Sequence, residues 1–159
     1  MNRDKDLRAH LARLLDWQDA HVSFDTAVDG VAPRFRGVRP QGLPWSLWQL
    51  VEHLRRTQRD ILDFCRNPAY VEPPFEEYWP PSVASSSDDG WDQSVAGFRR
   101  DRDALKQLAA DPAIDLFDRS PHGTGQTYLR ELLLVADHNT YHVAQLVAVR
   151  RALGVWKPE

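Results

Sequence analysis

Residues 135–147 read VADHNTYHVAQLV, and two histidines, His138 and His142, interrupt an otherwise apolar helical face. The face continues through Glu131, Leu134, Val135, Gln145, Leu146 and Val149, at a period that predicts a core-facing helix over about 127–153. Arg150 and Arg151 fall in its last turn, where cations complement the helix dipole, and Gly154 follows as the glycine that closes it. Histidines four apart share one face, with Cβ atoms ~6 Å from each other. A buried neutral imidazole needs partners for one donor and one acceptor, and two so close compete for them. One divalent ion ~2.0–2.1 Å from each ring nitrogen would satisfy both. Two histidines satisfied by separate hydrogen bonds are the alternative, and spacing by itself leaves it open.

Working outward, a second helix announces itself at Ser46. Ser46 and Gln49 form a Ser-x-x-Gln capping pattern, and Trp45 before the cap can pack on Leu50 after it. Leu47, Leu50, Val51, Leu54, Ile61, Leu62 and Cys65 give this helix a broad apolar stripe, and Pro68 stops it. Leu7, Leu11, Leu14, Leu15, Val22 and Val28 predict a first helix over about 4–28. Trp91, Val95, Phe98, Leu105 and Leu108 predict a third over about 88–109. Two long connections lie between: 29–44, rich in Gly and Pro, and 67–87, with five prolines and a serine cluster. Tyr70, Phe75, Tyr78 and Trp79 imply that the second packs down, with Phe75 against Trp79 across a short turn. No segment alternates with the period of two that a strand needs. The expectation is a single all-α domain over residues 1–159, a four-helix bundle with long crossover connections.

The totals agree with that expectation. The 159 residues are 42% hydrophobic and 27% charged, an ordinary soluble composition. A net charge of −3 gives no electrostatic footprint for nucleic acid. Cys65 is the single cysteine, so no internal disulfide can form, and its place on the apolar stripe predicts a buried thiol. The apolar run LLLVA at 132–136 is too short to cross a bilayer, and MNRDKDLRAH lacks the apolar segment of a signal peptide. A cytoplasmic protein with no nucleic-acid and no membrane partner is expected. Of six tryptophans, Trp17, Trp45, Trp48 and Trp91 are assigned to core and staples. Trp79 is assigned to a pocket wall, and Trp156 to the bundle end or a dimer interface.

A metal site inside a bundle needs a ligand from a facing helix. His53, beside Leu50 and Leu54 on the second helix, is the candidate. His10 and His21 lie ~16 Å apart along the first helix, too far to share an ion, and read as boundary residues. His122, in PHGTG, would have to fold back ~16 Å to reach His138, so it rims a pocket or makes a turn. Glu131 and Gln145 either orient imidazoles or lie exposed at the bundle end. Arg56 and Asp60, one and two turns beyond His53, meet an anionic substrate, pair with each other, or sit on a solvated face. Tyr141 is read as a core residue.

The stretches LPWSLWQLVEHLRRTQRDILDF and LLLVADHNTYHVAQLVAVRRALGVW, with GWDQSVAGFRRDRDAL between them, resemble the DinB-like family of metalloenzymes over about residues 7–156. A shared name with a DNA polymerase implies no polymerase here. The resemblance implies an up-down-down-up four-helix bundle, a homodimer, and a divalent metal held by three histidines. His53 matches the family's ligand on the second helix, and His138 and His142 match its pair on the fourth. Many relatives carry Gly where this chain has Ala144, a departure that leaves the ligand set intact. Three neutral imidazoles leave the ion's charge uncompensated and at least one position open, as catalytic sites do. Such an ion acidifies water or holds a thiol as thiolate. Zinc or nickel is the expected metal, with iron and manganese also tolerated by imidazole. The resemblance further implies an enzyme acting on a small-molecule substrate, either a transferase or isomerase using a low-molecular-weight thiol or a metal-assisted hydrolase. A non-catalytic dimeric bundle with a structural or ligand-binding metal is the competing expectation. No catalytic residue beyond the ligands is assigned.

Overall fold

The computed structural model describes residues 3–156, so the ends of the expected 1–159 domain, 1–2 and 157–159, lie outside the described residues. The described residues form six helices: α1 (Arg3–Leu14), α2 (Phe24–Val28), α3 (Pro33–Arg36), α4 (Leu47–Arg66), α5 (Gly90–Ala110) and α6 (Tyr128–Ala152). A 3-10 turn, Phe75–Tyr78, lies between α4 and α5. The described residues form no strand beyond an isolated bridge between Arg119 and Thr127. None of these helices is long and apolar enough to cross a membrane.

The long helices end where their backbone groups find partners. Ser46 caps α4 with the full reciprocal box, its hydroxyl accepting from Gln49 N–H while Gln49 accepts from Ser46 N–H. Thr127 caps α6 by accepting from Arg130 N–H. At the other end Gly154 adopts φ 69°, and Val155 N–H reaches the Arg150 carbonyl at 2.9 Å. That is the wrapped C-terminus only a left-handed residue permits.

The helix expected over 4–28 is broken. Residues 15–23 leave the helix, and Ser23 caps a separate α2 by accepting from Thr26 N–H at 3.1 Å. Between Leu15 and Val22 only Trp17 and Ala20 are apolar, so a continuous helix would bring Gln18, Asp19 and His21 through its core face. The 29–44 connection also holds a turn of helix, α3, begun by Pro33.

α4 packs on both α5 and α6, and α1 packs on α5 and α6. Two apolar clusters fill the interior. One joins Phe24, Leu50, Leu54, Trp91, Phe98 and Leu146, and the other joins Leu11, Ile61, Leu62, Leu105, Leu132 and Val135. A polar layer divides them. Buried Gln58 donates to the Phe98 carbonyl at 2.7 Å and accepts from Asn139 Nδ2 at 2.9 Å. These bonds join three helices in a low dielectric, where a one-residue slip would leave each group unpaired. Two buried arginines tie down helix ends. Arg8 donates to the carbonyls of Ala109 in the last turn of α5 and of Asp111 and Ile114 beyond it, and Arg150 to those of Thr26 and Ala27 in α2.

Phe98 is 1% exposed and stacks on Phe24 with ring centroids 3.8 Å apart. Phe98→Ala is expected to cost about 3–5 kcal/mol, read as a lower denaturant midpoint at unchanged slope.

Candidate metal centre

His53 on α4 faces His138 and His142 on α6. Its Nε2 lies 3.1 Å from His138 Nε2 and 3.2 Å from His142 Nε2. One ring nitrogen from each of the three lies within 4.8 Å of the others. Around a tetrahedral ion with nitrogens at ~2.0–2.1 Å, those nitrogens stand about 3.3 Å apart. The spacing in the protein therefore fits one shared ion. His53 and His142 are buried and His138 is half-buried.

Hydrogen bonds on the far side of each ring set which nitrogen is free. His53 Nδ1 is 2.9 Å from the Tyr78 carbonyl oxygen. A carbonyl only accepts, so Nδ1 carries the hydrogen and Nε2 is left as a bare lone pair. His142 Nδ1 donates in the same way to Gln145 Oε1 at 2.9 Å. His138 Nδ1 is buried without a hydrogen-bond partner. Bare lone pairs converging on one point suit a cation and are unfavourable without one. The three histidines could hold a divalent metal.

Aromatic rings wall the cluster. Trp79 lies flat on His53, with centroids 3.7 Å apart and planes 7° apart. Trp45 covers the other face of Trp79 at 3.9 Å and 17°. The pocket wall expected of Trp79 is thus the wall of the histidine cluster. Phe75, expected against Trp79, is 81% exposed and lies tilted to Tyr78's ring, with centroids 6.5 Å apart. Tyr141, expected in the core, is 63% exposed, with its ring edge-on to His142 at 5.0 Å. Turning His142 inward carries the preceding residue about 100° round the helix, towards solvent.

Burial keeps the imidazoles neutral. His53 is lowered to about 4, first by desolvation and then by neighbouring His142, His138 and Arg56, against the opposing bond to the Tyr78 carbonyl. His138 is also lowered to about 4, by desolvation and His142, with partial relief from the Asn139 side chain. His142 is lowered by desolvation, which its bond to Gln145 partly offsets.

The other candidates scatter. Gln145 touches the cluster, whereas Glu131 is buried elsewhere, beside Arg130 at 2.7 Å. His122 Nε2 lies 2.8 Å from the Asn67 carbonyl and 3.3 Å from Tyr70 N–H, so it pins two loops together, donating or accepting according to its tautomer. His10 and His21 are exposed, the latter with Nδ1 2.9 Å from its neighbour's carbonyl. Arg56 and Asp60 do not pair with each other. Arg56 bonds Glu52 and the Glu77 carbonyl, while Asp60 accepts from Tyr70 and Tyr78. Both line a groove of about 640 Å³. Cys65 is buried, and that burial with nearby Glu131 pushes its thiol up to about 12. Ala144 is exposed, so its methyl meets no neighbouring helix.

Sequence reasoning missed Tyr78 and Glu52. Tyr78 contributes a backbone carbonyl, for which no side-chain signal exists. Glu52 is 5% exposed and receives Arg55, Arg56 and Ser94. Burial would raise its pKa, but these bonds outweigh burial and hold it at about 2. Its Arg partners at i+3 and i+4 were the available signal.

The lowered histidines make stability pH-dependent. Between their ordinary value of 6.5 and about 4, the unfolded chain takes up protons that folded His53 and His138 refuse. Stability therefore falls as pH drops through that window. Thermal unfolding of metal-free protein is expected to show this fall, and His138→Gln to flatten it; equal slopes in the two proteins would contradict a buried neutral cluster.

The comparisons with known proteins bear on the same residues. No curated protein and no solved structure matches the chain significantly. A family model described as the DinB superfamily matches residues 8–146, a span that contains His53, His138 and His142. A match over most of the chain shows the family: this protein belongs to the DinB superfamily.

Proposed function

We propose that His53, His138 and His142 hold one divalent metal ion, zinc or nickel, and that the protein is a metal-dependent enzyme acting on a small molecule. A low-molecular-weight thiol is the proposed co-substrate, with water as the alternative nucleophile. The observation that carries this reading is the convergence of three imidazoles whose outer hydrogen bonds leave Nε2 bare on His53 and His142. When bound, such an ion lowers the pKa of a thiol or water, or polarises a carbonyl.

The chain's own residues prepare the site. Tyr78 and Gln145 hold hydrogens on Nδ1, away from the ion's position. Trp79, backed by Trp45, keeps water from one side of His53. The cluster numbers three His, Cys, Asp or Glu ligands among the described residues. That count supports an open coordination position over a closed structural site of four protein ligands.

The same proposal gives one domain whose long helices α1, α4, α5 and α6 run up-down-down-up. In support, the N-terminal halves of α4 and α5 share an apolar cluster with the C-terminal half of α6. A homodimer belongs to it too: Leu133, Leu134 and Tyr141, exposed along α6, offer an apolar strip that a second copy would cover. A cytoplasmic location is supported by one buried free cysteine.

Elemental mass spectrometry of tag-free protein tests the metal. Near-stoichiometric zinc or nickel that disappears in His142→Ala is expected; a wild type that stays metal-free after incubation with excess zinc and nickel overturns the reading. Sedimentation velocity should return twice the 18.3 kDa chain mass, and a monomer would remove the pairing.

A further inference from the structure

We propose that Arg56 and Asp60 are positioning residues for the histidine cluster: they hold the 3-10 turn Phe75–Tyr78 so that the Tyr78 carbonyl fixes the tautomer of His53. His53, Arg56 and Asp60 stand at i, i+3 and i+7, a single stripe along α4. All three reach the same two residues. His53 Nδ1–H donates to the Tyr78 carbonyl at 2.9 Å, Arg56 Nη1 to the Glu77 carbonyl at 2.7 Å, and the Tyr78 hydroxyl to Asp60 Oδ2 at 2.8 Å. Tyr78 is thus gripped by α4 at both its backbone and its side-chain tip.

The turn has little else to locate it. It has four residues and no side-chain cap, and Phe75, Glu76 and Glu77 are exposed. An apolar anchor follows only with Trp79, stacked between Trp45 and His53. The grip itself is braced. Arg56 Nε bonds Glu52 Oε1 at 2.8 Å, and buried Glu52 takes Ser94 Oγ from α5 at 2.7 Å. A line of bonds therefore runs from α5 through Glu52 and Arg56 to the turn. Asp60 takes its second donor, the Tyr70 hydroxyl at 2.9 Å, from the same long connection.

The consequence lies at His53. Which ring nitrogen of a neutral imidazole carries the proton is set by the partner of the other nitrogen. With the carbonyl in place, Nε2 is bare and faces His138 and His142. With the turn displaced, Nε2–H competes, and a proton then points at the ion's position. The effect on metal affinity rests on the proposed metal site; the tautomer does not.

The test uses the full chain carrying ¹⁵N-labelled histidine, read by long-range ¹H–¹⁵N correlation spectra without metal and by chelator competition with zinc. Wild-type His53 should be the Nδ1–H tautomer. Tyr78→Phe removes one oxygen and keeps the carbonyl, and Asp60→Ala removes its acceptor. Both should turn His53 into a tautomer mixture and weaken zinc binding by about 10–100-fold. Asp60→Asn, which keeps an acceptor, and Tyr70→Phe, which leaves the turn's own bonds intact, should retain the wild-type spectrum. If Asp60→Ala does not fold, Tyr78→Phe and Arg56→Ala decide. A single Nδ1–H tautomer persisting in both Tyr78→Phe and Arg56→Ala overturns the proposal, as does a mixture already present in wild type. Wild type with the Nδ1–H tautomer but no zinc binding removes the metal reading, and the variant spectra still judge the positioning.

Discussion

A neutral imidazole has two nitrogens and one proton, and at His53 the Tyr78 carbonyl claims that proton from 2.9 Å. The nitrogen facing α6 is then an acceptor whose neighbours are the Nε2 atoms of His138 and His142, 3.1 and 3.2 Å away. His142, turned the same way by Gln145, adds a second such nitrogen, 3.2 Å from the first. Protonating the cluster would relieve the lone pairs, but desolvation makes charge costly there. The three histidines could therefore hold a divalent cation, while a proton is disfavoured there. The long 67–87 connection matters for the same reason: it carries both the carbonyl that sets His53 and the indole that covers it.

α4 makes this possible by dividing its circumference. One side, Leu47, Leu50, Val51, Leu54, Ile61 and Leu62, joins the apolar clusters. A second stripe, His53, Arg56 and Asp60, meets the 3-10 turn. A third, Glu52 with Arg55, meets α5, where a Cβ on Gly97 would stand 2.9 Å from Arg55 Cδ. A buried carboxylate is tolerable only when its partners are in place, and removing one leaves an uncompensated charge. Glu52 has three, so the register of α4 on α5 and the hold of Arg56 on the turn are parts of one network.

Much of the site was legible because helices make distance a local property. His138 and His142 were bound to share a face once α6 was a helix, and the Ser46 box set the phase of α4 that turns His53 to the flank of its apolar stripe. The start of α4 and the close of α6 were legible for the same reason, since the Ser46 box and Gly154 act within a turn. Elsewhere local patterns misled. Leu14, Leu15 and Val22 fit one helical repeat, yet the polar residues between them break the helix and Ser23 begins another. Phe75 and Trp79 fit i, i+4, but the turn is 3-10, with three residues per turn, so Phe75 faces Tyr78 and Trp79 points inward.

By itself, the sequence determined an all-helical chain, the helix that carries each of His53, His138 and His142, and the residue types that can hold a metal. All three follow from interactions spanning four residues or fewer. Only the tertiary structure decided which nitrogen of His53 is free, because that depends on a carbonyl 25 positions away in a connection with no periodicity to read. It also decided that Trp79 walls the cluster, that Tyr141 faces solvent, and that Glu52 is buried. Those outcomes depend on the path of the backbone between helices, and every residue's carbonyl looks alike until that path is known.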